Sequence, residues 1–513
     1  MMAHVYRHGR SRQTSSSFGA LLHVLFGVVT HLKLRSSSLC AAFSTPDVSY
    51  SEQSDNRQFE RKDGCLILPS HPDKVIRSVM APMVAASDYP FRLFLRSRCG
   101  VDMTYTQMIH SSNFVRGKTF RRNHLDLFES GIMYPKLLHS QLACLEGILP
   151  IPDVENYQEE HRSPNMVQLA GNDVSEVLLA AEMILEHTDN RVSGFDLNLG
   201  CPQGIARKGN YGAFLMENDF NLVLEILSSL RKELPSSTAV SAKIRLPRDD
   251  ATLQYRIPRL VETGINFMTV HGRTLWENKT KVGACHTERI RLAVEAAHKC
   301  DPNFPVVANG GIEDFNDVNN LLETTGAVAA MSSEALLETP NIFQRSSASL
   351  TPRERLNQQL SFARDYLDIC SSVVPPVPGL LGHDGAGSFC IIRGHLFKFL
   401  HRYLQEHHDL RDRLIDIETI VVANEMVDEL EERYALKSEE ELLACPSSSA
   451  TASWYRRYRN PDRRVHQKDV NISSIFSPNQ SKEVSVEERK KIIRERIARL
   501  KNNKANRNQK AML

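Results

Sequence analysis

Eight short apolar runs punctuate the middle of the chain, at residues 78–83, 103–109, 166–170, 194–199, 239–246, 267–271, 305–309 and 327–332. Each is the length of a buried strand. Most are separated by segments whose apolar residues recur at helical spacing. In 174–187, Val177, Leu178, Ala181, Ile184 and Leu185 share one face. In 219–234, Leu222, Val223, Ile226, Leu227 and Leu230 do the same behind Asp219, a capping type. Segments 287–299 and 314–325 repeat the pattern, with Thr287 and Asp314 at the capping positions. Eight strands alternating with helices over about 270 residues predict a (β/α)8 TIM barrel. A doubly wound sheet is the alternative, but no Gly-x-Gly-x-x-Gly follows the first run.

The barrel is expected to span 73–350 of the 513 residues, with a long proline-interrupted insertion at about 126–164. Residues 351–443 hold no strand pattern. Segments 354–372, 393–406 and 415–435 read as amphipathic helices, with a breaker-rich linker at 375–387, so a smaller all-helical domain is expected there. The two ends read as disordered extensions. Residues 1–72 carry no acidic residue before Asp47, and mix arginines with serine clusters. That is the composition of a mitochondrial or other organellar transit peptide; an unaddressed extension of a cytoplasmic or nuclear protein is the alternative. Residues 444–513 are basic: from Ser453 onward there are 17 lysines and arginines against 6 acidic residues. Trp454, Tyr455 and Tyr458 interleave with arginines there, a pattern that suits stacking on RNA as well as a solvated tail.

Ten scattered cysteines with no Cys-x-x-Cys pair fit neither a zinc ligand set nor a secreted disulfide framework. No metal site is expected, and no apolar run is long enough to cross a bilayer.

In a barrel, chemistry gathers where strands end. The fourth run leads through Asn198 to Cys201, then into a glycine-studded loop holding Arg207 and Lys208. A buried small residue on a tight turn is the competing reading of Cys201. The first run ends in Ala81-Pro82-Met83-Val84 and the third carries Gln168. The fifth carries Lys243 and Arg245, and the sixth ends in His271-Gly272-Arg273. The seventh ends in Asn309-Gly310-Gly311, and the eighth in Ser333-Glu334. Singly, each polar residue could be structural. Together they outnumber what an inert barrel requires. Loops after the seventh and eighth strands of this fold commonly grip phosphate. A phosphate there, with amide and cationic groups over the barrel centre, suits flavin mononucleotide: Gln168 reading the pyrimidine edge, Lys243 near the flavin N1 and O2.

The stretches APMVAASDYPFR (81–92), NLGCPQGIARKGNYGAFL (198–215), KIR (243–245), HGRT (271–274), NGGI (309–312) and MSSEALLETPNIF (331–343) resemble, in the same order, the signatures of the tRNA-dihydrouridine synthases. RGHLFKFLHRYLQ (393–405) is similar to the helical domain of the eukaryotic branch acting on tRNA positions 16 and 17. The resemblance covers about 76–440. It implies an oxidoreductase that reduces the uracil C5=C6 bond in the tRNA D-loop, with FMN as the bound cofactor and NADPH as reductant. Cys201 would be the proton donor. Pro82, Met83, Val84, Gln168, Lys243, His271, Asn309, Gly310, Gly311, Ser333 and Glu334 would bind FMN. Asn198, Lys208, Arg245 and Arg273 would lie near substrate. The expected partners are tRNA and NADPH, for a chain acting as a monomer. A barrel flavoenzyme acting on a small molecule, and a tRNA-binding protein without catalysis, are the alternatives. Two departures stand out: LWENKT (275–280) where the family usually has REQKG, and Ser333 where alanine is usual.

Overall fold

A computed structural model describes residues 65–456, apart from 118–119, 122–162, 189, 191, 279–280 and 374–388. The insertion, the 375–387 linker, most of the N-terminal extension and the tail beyond Arg456 therefore lie outside the described residues.

The chain enters through an antiparallel hairpin, β1 (Leu66–Leu68) and β2 (His71–Ile76). Then follow β3 (Ser78–Met80), β4 (Thr104–Tyr105), β5 (Ile109–His110), β6 (Asn165–Ala170), β7 (Gly194–Leu199), β8 (Ala239–Leu246), β9 (Phe267–Thr274), β10 (Val306–Asn309) and β11 (Ala329–Ser332). These nine strands pair in parallel in the order β3-β11-β10-β9-β8-β7-β6-β4, with β5 also on β6. A parallel bridge between Val79 and Met103 joins the two ends. The Met80 amide donates to the Met103 carbonyl (2.9 Å) and the Met103 amide to that of Ser78 (3.1 Å). The result is the eight-stranded parallel barrel expected from the sequence, its second strand split into β4 and β5.

Alternation along each strand sorts the side chains. Outward residues such as Val167, Leu197, Val240, Ile244, Val270 and Ala308 pack under the helices in one continuous core. Inward residues of the lower barrel, among them Met103, Tyr105, Met166, Ala239, Phe267, Val307 and Ala329, form a second cluster with Leu66, Leu68 and Ile76. The hairpin thus joins the lower barrel core. The expected domain start at residue 73 falls inside β2, because the three apolar residues of β1 and the mostly polar β2 are too little pattern to register as strands.

Five helices carry the outer layer: α1 (Tyr89–Cys99), α3 (Val174–His187), α6 (Phe220–Glu233), α7 (Asp250–Glu262) and α8 (Thr287–Cys300), with α9 (Phe315–Thr325) beside them and the short α2 (Ser111–Arg116) after β5. Asp219 and Asp314 cap their helices through their side chains, as the sequence predicted. Thr287 does not: it is the first helical residue, and His286 at the cap position makes no side-chain cap. The His286 ring is committed instead to Glu277 at 2.7 Å. Helix α7 was not picked out in sequence; Asp249 caps it and Pro258 lies within it.

The loop after β7 contains two short helices, α4 (Gly204–Gly209) and α5 (Ala213–Asn218). Beyond the barrel run α10 (Pro352–Val373), α11 (Phe389–Phe399), α12 (His401–Leu404), α13 (His408–Ile415), α14 (Ile420–Ala435) and α15 (Glu439–Ala444). This helical region packs on α1. Phe91 of α1 stacks on His395 of α11, ring centroids 4.1 Å apart, among Phe94, Tyr366 and Phe399. Asp88, just ahead of α1, lies 3.4 Å from His395, both fully buried. Burial lowers the imidazole pKa and Asp88 only partly offsets it. No helix among the described residues is long and apolar enough to cross a membrane.

Candidate active site

The polar residues that break the apolar pattern of the strands recur at spacing two: Asp196 and Asn198 on β7, Ser241, Lys243 and Arg245 on β8, Thr269, His271 and Arg273 on β9. Spacing two puts them on one face of each strand. Gln168 of β6 is buried, and its Nε2 donates to Asp196 Oδ2 (2.8 Å) while its Oε1 accepts from Asn198 Nδ2 (2.8 Å). Ser241 Oγ donates to Asp196 Oδ1 (2.7 Å). Lys243 Nζ donates to Asn309 Oδ1 (2.9 Å), and Asn309 Nδ2 donates to the Met331 carbonyl of β11 (2.8 Å). Side chains of β6, β7, β8 and β10 thus interlock across the mouth, leaving one amide N–H of Gln168 uncommitted by these bonds.

Asp196 was missed in sequence. It is fully buried, and burial pushes its carboxyl up to about 6 against the pull of Gln168, Ser241 and Lys243. Its signal was there: an acid inside an apolar strand two residues before Asn198. Burial also lowers Lys243 to about 8, helped by Arg245 and opposed by Asp196.

Cys201 stands just past β7. Asn198 Oδ1 accepts from the Gly200 and Cys201 amides at 3.1 and 3.0 Å, fixing the turn. The cysteine packs with Ala170, Ala206, Tyr211, Met108 and Phe214. Burial raises its pKa, while the Gln203 amide and the Arg245 charge pull it back. It is therefore a thiol at neutral pH, with a cation near it. Gly212, at φ 65°, lies so close that an added Cβ would sit 2.9 Å from that of Cys201. No side chain fits there without displacing the thiol.

Arg245 binds the loops on both sides: its Nε donates to the Gly200 carbonyl (2.8 Å), its Nη1 to that of Thr274 (3.0 Å). Arg273, buried, lies 3.2 Å from His271 Nε2 through Nη1 and donates from Nε to the Gly283 carbonyl (3.0 Å). In the departing LWENKT loop, Glu277 accepts from the Thr274 amide and hydroxyl (2.7 and 2.8 Å) and pairs with His286. The loop is closed on itself by its own glutamate, a role not foreseen.

The Asn309-Gly310-Gly311 turn has φ of 111° and 77° at its glycines. It borders a cavity of about 330 Å³ shared with Arg273, Cys285, Glu313 and Tyr455. Ser333 and Glu334 lead into a 3-10 turn, Ala335–Leu337, accepting from the Leu336 and Leu337 amides. Pro82 and Met83 are half-buried on the turn after β3, where the Met83 amide donates to Ser87 Oγ (2.8 Å); Val84 is exposed. Lys208 is exposed on α4 beside Arg207, and no bond ties it to the interlocked set. Tyr455, expected to be free for stacking, is buried. Among the described residues no cluster of His, Cys, Asp and Glu is placed to hold a metal.

Fold and polar side chains together define a parallel barrel with a thiol and a half-buried lysine at its mouth. A family model described as dihydrouridine synthase matches residues 79–437. The chain is 32% identical over 345 residues to a mouse "tRNA-dihydrouridine(16/17) synthase [NAD(P)(+)]-like" protein, covering 67% of this chain and 59% of that one. Over 341 residues it is 30% identical to the "tRNA-dihydrouridine(16/17) synthase [NAD(P)(+)]" of Schizosaccharomyces pombe, covering 66% and 72%. Over 275 residues it is 30% identical to a mouse "tRNA-dihydrouridine(20a/20b) synthase [NAD(P)+]-like" protein, covering 53% and 70%. The chain spans only 59% and 64% of the length of the mouse and rat 16/17 relatives. It belongs to the dihydrouridine synthase family.

Proposed function

We propose that the chain is an FMN-dependent tRNA-dihydrouridine synthase that reduces D-loop uridines, at positions 16 and 17, with NADPH. The observation that carries this reading is Cys201: a thiol just past β7, beside Arg245, its backbone held by Asn198, which also bonds Gln168. The donor set fits FMN. Gln168 offers an amide N–H for the pyrimidine edge, Lys243 a cation over the barrel centre, and the turn at Gly310-Gly311 carries no side chains to obstruct a phosphate. Pro82, Met83 and Val84 would wall one side, with His271, Ser333 and Glu334 completing the seat.

FMN held by these residues would, once reduced by NADPH, supply the hydride for uracil C6. The protein supplies the proton. Cys201 Sγ–H donates to C5, and the hydride and proton together saturate the double bond. Arg245 lies near enough to favour the thiolate left behind. Asn198 fixes the turn that aims the thiol. The target base must leave the folded tRNA to reach this mouth. Arg207 and Lys208, exposed on α4, would meet backbone phosphates; Arg273, buried against His271, would act nearer the reacting base.

The test is direct. Purified protein should be yellow and, with NADPH, should form dihydrouridine in tRNA taken from cells lacking it. Colourless protein that gains no spectrum from added FMN would remove the flavin reading. A flavoprotein active on small enones but inert on tRNA would favour the small-molecule alternative.

A further inference from the structure

The last described segment, 445–456, lies beyond the stretch matched by the family model, which ends at 437. It is folded as two 3-10 turns, Pro446–Ser448 and Ala450–Ala452, followed by buried Ser453 and Tyr455. Its anchors are specific. Glu338, after β11, is 3% exposed, and burying a carboxylate is costly unless its lone pairs are filled. Here they are filled by Arg402 Nε (3.0 Å), Ser453 Oγ (2.6 Å) and the Tyr455 amide (3.0 Å). Arg402 also donates to the Ser447 and Ser449 carbonyls (3.3 and 2.9 Å), and Glu406 accepts from the Ser447 amide (2.6 Å). At the far end, Arg456 Nε donates to Glu313 Oε2 at 2.5 Å.

Glu313 stands two residues after Gly311, and its own amide is held by Asp317 Oδ2 (2.8 Å). Tyr455 lines the same cavity as Gly310, Gly311 and Arg273. The segment therefore runs from the helical region across the loop after β11 to the loop after β10. Those glycines sit at positive φ, and glycine has more backbone freedom to lose on ordering than any other residue. A restraint that orders such a loop before a ligand arrives removes that cost from binding.

We propose that residues 445–456 are a strap that positions the Gly310-Gly311 turn, and that the Arg456–Glu313 pair is its positioning contact for FMN. This rests on the flavin reading above. The strap works without touching the reacting atoms, so its signature is cofactor affinity rather than chemistry.

The test is FMN titration of deflavinated full-length protein by flavin fluorescence, with the melting temperature of the cofactor-free protein recorded alongside. Arg456→Ala and Glu313→Gln should each weaken FMN binding roughly tenfold, the double variant no more than the worse single one. Arg456→Lys should recover part of the affinity. A chain ending at Arg456 should bind FMN like the full chain. Variants that lose thermal stability but keep wild-type FMN affinity, or losses that multiply in the double variant, would overturn the strap while leaving the flavin reading intact. Wild-type protein that binds no FMN would remove both.

Discussion

At the barrel mouth, Gln168, Asp196, Asn198 and Ser241, and beside them Lys243 and Asn309, satisfy one another through buried and half-buried hydrogen bonds across four strands. In the loop after β7, α4 presents Arg207 and Lys208 to solvent on a six-residue helix, anchored mainly by Ala206 and Tyr211 beneath. The first region is set before any ligand arrives. The second offers exposed cations to an anionic partner. A cofactor of fixed shape is best met by the former, a folded nucleic acid by the latter. Cys201 sits at the boundary, its backbone tied to Asn198 and its side chain packed under the loop.

The sharpest way to break this division is at that boundary. Cys201→Ala should cut uridine reduction by about 100-fold or more, the usual scale of a lost general acid, with FMN affinity unchanged. A parallel loss of flavin would place the thiol in the seat instead. Gly212→Ala comes next. Its Cβ would collide with Cys201 in a left-handed backbone, so reduction should fall by roughly tenfold or more while the flavin spectrum stays. Retained activity would show that the turn relaxes freely.

Within the seat, Lys243→Met should weaken FMN binding by roughly tenfold, as expected for a charge-assisted contact. The pH dependence has a definite sign. Lys243 is charged below about 8 and neutral above, so FMN affinity should fall as pH rises through 8, and Lys243→Met should flatten that profile. In the cofactor-free protein the same group acts oppositely on stability. Its folded pKa lies below the ordinary 10.5, so the unfolded chain binds more protons between about 8 and 10.5. Stability contributed by this residue therefore rises with pH across that window. The smallest effect is expected at the exposed cations of α4: Lys208→Ala should lower tRNA affinity modestly and reduce the salt slope by about 1, with no change in flavin binding. An unchanged slope would make it a bystander.

The same contrast explains what could be read in the chain. Strand periodicity is local, so the eight runs were visible, as were Lys243 and Asn309 at strand ends. Asp196 was not singled out because its importance comes from Gln168 and Ser241 on neighbouring strands, which no window of sequence contains. Glu338 was missed for the same reason: its donors are 64 to 117 residues away. Glu277 was missed for a different one: its partners Thr274 and His286 lie within nine residues, but an acid in a polar loop carries no periodic signal to mark it. Composition misled at Tyr455, where neighbouring arginines suggested a free basic tail. Arg456 is instead held by Glu313, and the residues after it lie outside the described residues.

The most direct measurement is nucleoside mass spectrometry on unmodified tRNA incubated with NADPH and either wild-type or Cys201→Ala protein, both loaded with FMN. The account predicts dihydrouridine at D-loop positions 16 and 17 with the wild type and almost none with the variant. Equal product from the two proteins, or none from either, would contradict it.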